Sequence, residues 1–162
     1  LRGGEMISFV SRDGQEYAPL PHKFEAGTVN AAGAVGLHAA IDYINSIGFE
    51  VIEAREEALT KLAFDAMQKI EGVHIIGGQT AEEHKGIITF TIDGVHPHDI
   101  AAIMDADGVN IRAGNHCAQP LLDHLCTGAT ARASVAFYNT QEDVERFIKC
   151  LSTIRERMGY GR

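Results

Sequence analysis

The stretch Arg112-Ala113-Gly114-Asn115-His116-Cys117-Ala118-Gln119-Pro120 places a thiol in a loop between a predicted strand and a short predicted helix. Thiolate is the nucleophilic form of cysteine, and a positive field favours it. A helix N-terminus, the adjacent His116 and Arg112 five residues upstream would supply that field. A cysteine so placed could attack electrophilic sulfur. The same residue types also allow Cys117 to be a small buried hydrophobe, and the residues alone leave both readings open. Cys126 and Cys150 read as packing residues, Cys150 lying next to the apolar face of the last predicted helix. Arg112 taken by itself is a surface charge at a strand end. His96, His98, His116 and Cys117 could on residue type form a zinc site with N and S ligands, but their spacing is no zinc signature. His96 and His98 flank Pro97 at a predicted helix start and read as solvent-facing or cap-like, so no metal site is expected.

The elements that must position these groups follow from periodicity. Residues 1 to 29 hold an apolar stretch, Met6 to Val10, a turn at Arg12-Asp13-Gly14, and the breakers Pro19 and Pro21, which reads as loop with one strand or hairpin. Val35, Leu37, Ile41 and Ile44 recur at helical spacing between Ala31 and Ser46, with Asn30 as N-cap and Gly48 as terminator. Ile52, Leu59, Leu62, Ala66 and Ile70 predict a second helix closed by Gly72. Val73 to Ile76 and Gly86 to Ile92 read as strands around the polar loop 77–85. Pro97 opens a helix that Gly108 ends. Val109 to Arg112 is a predicted strand, residues 117 to 125 a short helix, and Arg132 to Phe137 another strand. Thr140 and Asp143 form a capping-box-like start for a last helix with Val144, Phe147, Ile148, Leu151 and Ile154 along one side. Helices over one face of a short, mainly antiparallel sheet make an α+β sandwich.

Composition narrows the function classes. Hydrophobic residues make up 45% and charged residues 22% of 162 residues, the balance of a folding globular chain, for which one compact domain is the default. A formal net charge of −8 and the lack of a Lys/Arg run argue against nucleic acid. No apolar run is long enough to span a bilayer, and the start has no cationic segment leading into an apolar one, so neither membrane insertion nor secretion is expected. Three cysteines without CxxC spacing give no disulfide framework, which fits a reducing cytoplasm. The start without Met, in the Gly3-Gly4 turn, reads as entry part-way through a longer protein.

Several segments in order carry a family resemblance. The run Arg112 to Pro120, with Val95-His96-Pro97-His98-Asp99 before it and Thr130-Ala131-Arg132-Ala133-Ser134 after it, resembles the end of SufS-type (group II) cysteine desulfurases and the related selenocysteine lyases. Phe24-Glu25-Ala26-Gly27-Thr28 resembles that family's segment ahead of the helix joining its two domains. The match runs from about Gly3 to the last helix.

The resemblance implies the C-terminal portion of a fold-type I, class V aminotransferase-like pyridoxal-phosphate enzyme. Residues 1–29 would be a remnant of the large cofactor-binding domain, 30–48 the interdomain helix, and 49–162 the small C-terminal domain. It implies that L-cysteine, or L-selenocysteine, is converted to L-alanine with the sulfur left as a persulfide on the residue matching Cys117, for iron-sulfur cluster assembly. Arg132 matches the arginine that holds the substrate carboxylate, Arg112 a second active-site arginine, and Thr28 a residue reaching the cofactor phosphate of the neighbouring subunit of a homodimer. Asn115 and His116 fall in the active-site loop; many relatives carry histidine where Asn115 stands. His98 matches a histidine that contacts a SufE/SufU-type sulfur acceptor. The family's aldimine lysine finds no match, since Lys23 lacks its serine-histidine-lysine context and reads as a surface lysine. The expectation is a chain inactive on its own, with a stand-alone sulfur-relay or binding module using Cys117 as the alternative.

Overall fold

A computed structural model describes residues 4–160. The Gly3-Gly4 turn therefore lies partly outside the described residues, and Gly4 itself begins a 3-10 turn through Met6. Where a single domain is the default for this length, the chain divides into two compact units, one ending at Ile47 and the other starting at Gly48.

The first unit contains the hairpin β1 (Ile7–Val10) and β2 (Gln15–Tyr17), antiparallel with Ile7 opposite Tyr17. Ser11 closes its turn: the Gly14 N–H donates to Ser11 Oγ at 3.2 Å, and the Ser11 N–H to the Gly14 carbonyl at 2.8 Å. Helix α1 (Ala31–Ile47) follows. Asn30 caps it as expected, its Oδ1 accepting from the Gly33 N–H at 2.9 Å. α1 has no buried residue, and Val35, Leu37, Ile41 and Tyr43 are all exposed.

The second unit is an α+β sandwich. Helix α2 (Phe49–Met67) leads into β3 (Val73–Ile76) and β4 (Ile87–Ile92). Then come α3 (Pro97–Ala106), β5 (Arg112–Gly114), the short α4 (Gln119–His124), β6 (Thr130–Ser134) and α5 (Gln141–Arg157). The sheet has four strands in the order β3-β4-β6-β5, and every neighbouring pair is antiparallel.

Side chains alternate across a strand, so register divides the sheet into two faces. Ile88, Phe90 and Ile92 of β4 and Ala131 of β6 point to the side covered by α2, α3 and α5, where they meet Leu59, Met67, Ile100, Met104, Leu151 and Ile154 in one buried cluster. Phe90 is fully buried and contributes about 2–3 kcal/mol by transfer from water. The opposite face carries Arg112, Thr130 and Arg132, together with Thr89 and His74.

Several boundaries differ from the pattern reading, among them α4, expected over 117–125, which spans Gln119–His124 and leaves Cys117, at φ +59°, in the turn before it. α2 stops at Met67 rather than running to Gly72: residues 68–72 form turns, and Gly72, at φ +78°, redirects the chain into β3 while Ile70 still packs on the core. The loop 77–85 contains a 3-10 turn, Ala81–His84, with a capping box between Thr80 and Glu83. β5 begins at Arg112 rather than Val109, because the Val109 N–H is spent on the Met104 carbonyl closing α3. β6 spans Thr130–Ser134 rather than Arg132–Phe137, because Thr130 and Ala131 pair with Gly114 and Ala113, while the Ala136 N–H turns to Asn139 Oδ1. The capping box of α5 is as expected, the Thr140 side chain accepting from the Asp143 N–H and the Asp143 carboxylate from the Thr140 N–H. Among the described residues no helix is long and apolar enough to cross a membrane.

Candidate active site around Cys117

β5 and β6 set the site by register. Arg112 stands directly opposite Arg132, and Gly114 opposite Thr130, so both guanidinium groups and the Thr130 hydroxyl rise from the sheet face opposite the core cluster. Beyond Gly114, at φ +118°, the chain makes a tight turn in which the Ala118 N–H donates to the Asn115 carbonyl at 2.8 Å. Its two central residues, His116 at φ +53° and Cys117 at φ +59°, are both in the left-handed region, as in a primed turn. Non-glycine residues held there cost about 1–3 kcal/mol each and persist only where surroundings hold them.

Two side-chain contacts do so. Arg112 Nη2 donates to Cys117 Sγ at 3.3 Å. His116 Nε2 lies 2.8 Å from Thr130 Oγ1, which is itself fully buried. An N–H donor of a permanent cation suits a sulfur that carries negative charge, and Cys117 is exposed, so an incoming group can reach it. The reading of Cys117 as a buried packing residue is thereby overturned. Cys150 is buried, and that burial pushes its thiol up from the usual range. Cys126, expected to pack, is instead exposed after α4.

Among the described residues neither Arg112 nor Arg132 makes a salt bridge with a carboxylate. Arg132 is half-buried, with Nε enclosed and unbonded. Like charges directly opposite on adjacent strands repel, and a buried guanidinium N–H left unpaired is costly. An anion bridging the pair removes both penalties, and a carboxylate matches the guanidinium fork. Burial holds His116 below its usual value, and Arg132 and then Arg112 push in the same direction, so the site disfavours a charged ring.

The other predicted residues stand apart from this cluster. His96 is the N-cap of α3, its Nδ1 accepting from the His98 N–H at 3.3 Å, and the two exposed rings stack with centroids 5.4 Å apart. Among the described residues no three His, Cys, Asp or Glu side chains gather as a metal site. Thr28 is exposed in a bend ahead of α1, in the first unit. Asn115 is exposed and contributes its carbonyl to the turn. Thr130 was not singled out by pattern; its period-two spacing from Arg132 on a strand was the available signal.

The family model for "Aminotransferase class-V" matches residues 1–147. The chain belongs to the aminotransferase class-V family. Its aminotransferase class-V relatives include a probable cysteine desulfurase of Xylella fastidiosa (strain 9a5c), 50% identical over 98% of this chain. Another, from Halalkalibacterium halodurans, is 47% identical over 98% of the chain. Each is covered to 38% of its own length, so the chain spans well under half of these relatives. Among solved structures, the apo cysteine desulfurase of Thermococcus onnurineus NA1 aligns with a TM-score of 0.86 at 39% identity, over 97% of this chain and 39% of that one. The Escherichia coli cysteine desulfurase CsdA, in an S-sulfonic acid form, aligns with a TM-score of 0.86 at 36% identity, over 97% and 38%. The α+β architecture is thus that of part of a fold-type I cysteine desulfurase.

Pyridoxal phosphate needs an amine to anchor its aldehyde, and the residues at this class-V site do not offer one. Lys61 and Lys149 lie on α2 and α5, on the helix-covered side of the sheet. Lys85 is ion-paired to Glu57, Lys69 is exposed just after α2, and Lys23 lies over the Tyr17 ring in the first unit. The described residues fit a thiol and an anion, not a covalently held cofactor.

Proposed function

We propose that this chain is the C-terminal part of a SufS-type cysteine desulfurase in which Cys117 receives the sulfur of L-cysteine. In balance, L-cysteine and the Cys117 thiol give L-alanine and a Cys117 persulfide. The carbon–sulfur bond breaks as the sulfur–sulfur bond forms, and the substrate carbon that loses sulfur gains a proton. The observation that carries this reading is Arg112 Nη2 at 3.3 Å from an exposed Cys117 Sγ, directly across from an unpaired Arg132. Arg132 binds the substrate carboxylate, with Arg112 dividing its donors between that anion and the sulfur. The electron sink that carbon–sulfur cleavage requires would be pyridoxal phosphate held by the rest of the protein.

The finer features of the reading rest on the resemblance. Residues 1–29 belong with the large domain, 30–48 form the interdomain helix, and 49–162 form the small domain. Thr28 reaches the cofactor phosphate of the neighbouring subunit in a homodimer. The persulfide passes to a SufE/SufU-type acceptor that His98 contacts, supplying iron-sulfur cluster assembly in the cytoplasm, and L-selenocysteine is an allied substrate. Because no lysine stands at the site, the chain by itself forms no alanine. The same feature favours a second reading, a sulfur-relay module whose exposed Cys117 accepts persulfide from a partner.

Alanine release tests the first reading. In the complete protein carrying this chain, Cys117→Ser should abolish turnover of L-cysteine while leaving pyridoxal-phosphate absorbance unchanged. Undiminished alanine formation by that variant would remove Cys117 from the reaction, whereas sulfur transfer from a partner persulfide to the chain without any alanine would favour the relay.

A further inference from the structure

We propose that Thr130 is the positioning residue for Cys117, acting through His116. This inference rests on the reading of Cys117 as the reacting thiol, but not on any assignment of Thr130, which neither the spacing nor the resemblance singles out.

The turn that presents Cys117 is held from two directions. Arg112 reaches the sulfur from β5, and Thr130 reaches the preceding residue from β6. The second contact is the more enclosed: it is part-buried, with Thr130 itself fully enclosed, whereas Arg112 and Cys117 are exposed and can exchange partners with water or substrate. The hydrogen bond less open to water is the one that fixes the left-handed backbone at His116, and with it the direction of the next side chain. Arg112 can then release the sulfur during a reaction without the turn collapsing.

The tautomer follows from the surroundings. His116 Nδ1 is enclosed and has no partner. A proton there would leave a buried donor unsatisfied, and beside Arg132 and Arg112 a lone pair is the favoured occupant. The proton therefore sits on Nε2, which donates to Thr130 Oγ1. Thr130 and Arg132 are alternate residues of one strand and share a face, so β6 alone fixes the spacing between the anchor of the thiol turn and the guanidinium.

The test is the rate at which iodoacetamide alkylates Cys117 in the complete protein, followed by peptide mass spectrometry with the exposed Cys126 as internal reference. This readout needs no desulfurase activity, so its failure is separate from failure of the sulfur-acceptor reading. Thr130→Val, which keeps shape and removes the acceptor, should slow Cys117 by roughly threefold to tenfold, the size of one hydrogen bond, with Cys126 unchanged. Thr130→Ser should restore the rate. Should Thr130→Val fold poorly, the pair His116→Gln and His116→Asn gives the answer independently: the Gln amide nitrogen overlays Nε2 and the Asn nitrogen overlays Nδ1, so the Gln variant should react faster at Cys117 than the Asn variant. Equal Cys117 rates in wild type and Thr130→Val, or an Asn variant as fast as the Gln variant, would overturn the proposal.

Discussion

Arg112 and Arg132 face each other across an antiparallel strand pair, and among the described residues no carboxylate is bonded to either. Natural cross-strand pairs of like charge are destabilising unless something neutralises them. The pairing therefore suits an anion, next to a thiol that one of the two arginines already touches.

Arg132→Lys keeps the charge and loses the fork. In the complete protein it should reduce kcat/KM for L-cysteine by roughly tenfold to a hundredfold, the range of a charge-assisted hydrogen bond, chiefly through KM. Steady-state alanine assays decide it; an unchanged KM would move the carboxylate contact elsewhere.

Gly114 stands at φ +118°, and a Cβ there meets no atom within 4 Å. Gly114→Ala therefore introduces backbone strain without a clash. A loss of about 1 kcal/mol or more in chemical denaturation is expected, together with slower alkylation of Cys117 as the turn shifts.

Phe90→Ala removes a fully buried ring from the centre of the sheet, where it packs edge-on against Phe147 with centroids 6.2 Å apart. It should cost about 3–5 kcal/mol of stability, read as a shifted denaturation midpoint.

His116 is held below its usual value, first by burial and then by Arg132 and Arg112. Between that lowered value and an unfolded value near 6.5, the unfolded chain binds a proton that the folded chain refuses. Stability therefore falls as pH drops below about 6.5 and the loss stops growing once the folded ring also protonates. His116→Gln should flatten this acid-side loss. Denaturation midpoints across that range, compared with wild type, should converge toward neutral pH.

Most of the architecture was legible because its signals are local. Asn30, Pro97 and Thr140 mark helix starts by their own chemistry, and β-branched runs mark β3 and β4. The errors fell where tertiary pairing decides. Val109 and Phe137 read as strand by type, yet Val109 closes α3, while the chain leaves the sheet at Ala136, after a last bond from the Val135 N–H to the Gly86 carbonyl. Cys117, Arg112 and Arg132 were nameable from motif and resemblance. Their meeting on the sheet face opposite the core came from the strand register. Thr130 stayed hidden, because a buried threonine acquires a role only through the turn folded over it.

The most direct measurement is peptide mass spectrometry of the complete protein after brief exposure to L-cysteine without an acceptor or reductant. The account predicts one additional sulfur on the peptide containing Cys117, formed alongside alanine and absent in Cys117→Ser. Alanine formed with no added sulfur on Cys117, or with the sulfur on Cys126 instead, would contradict it.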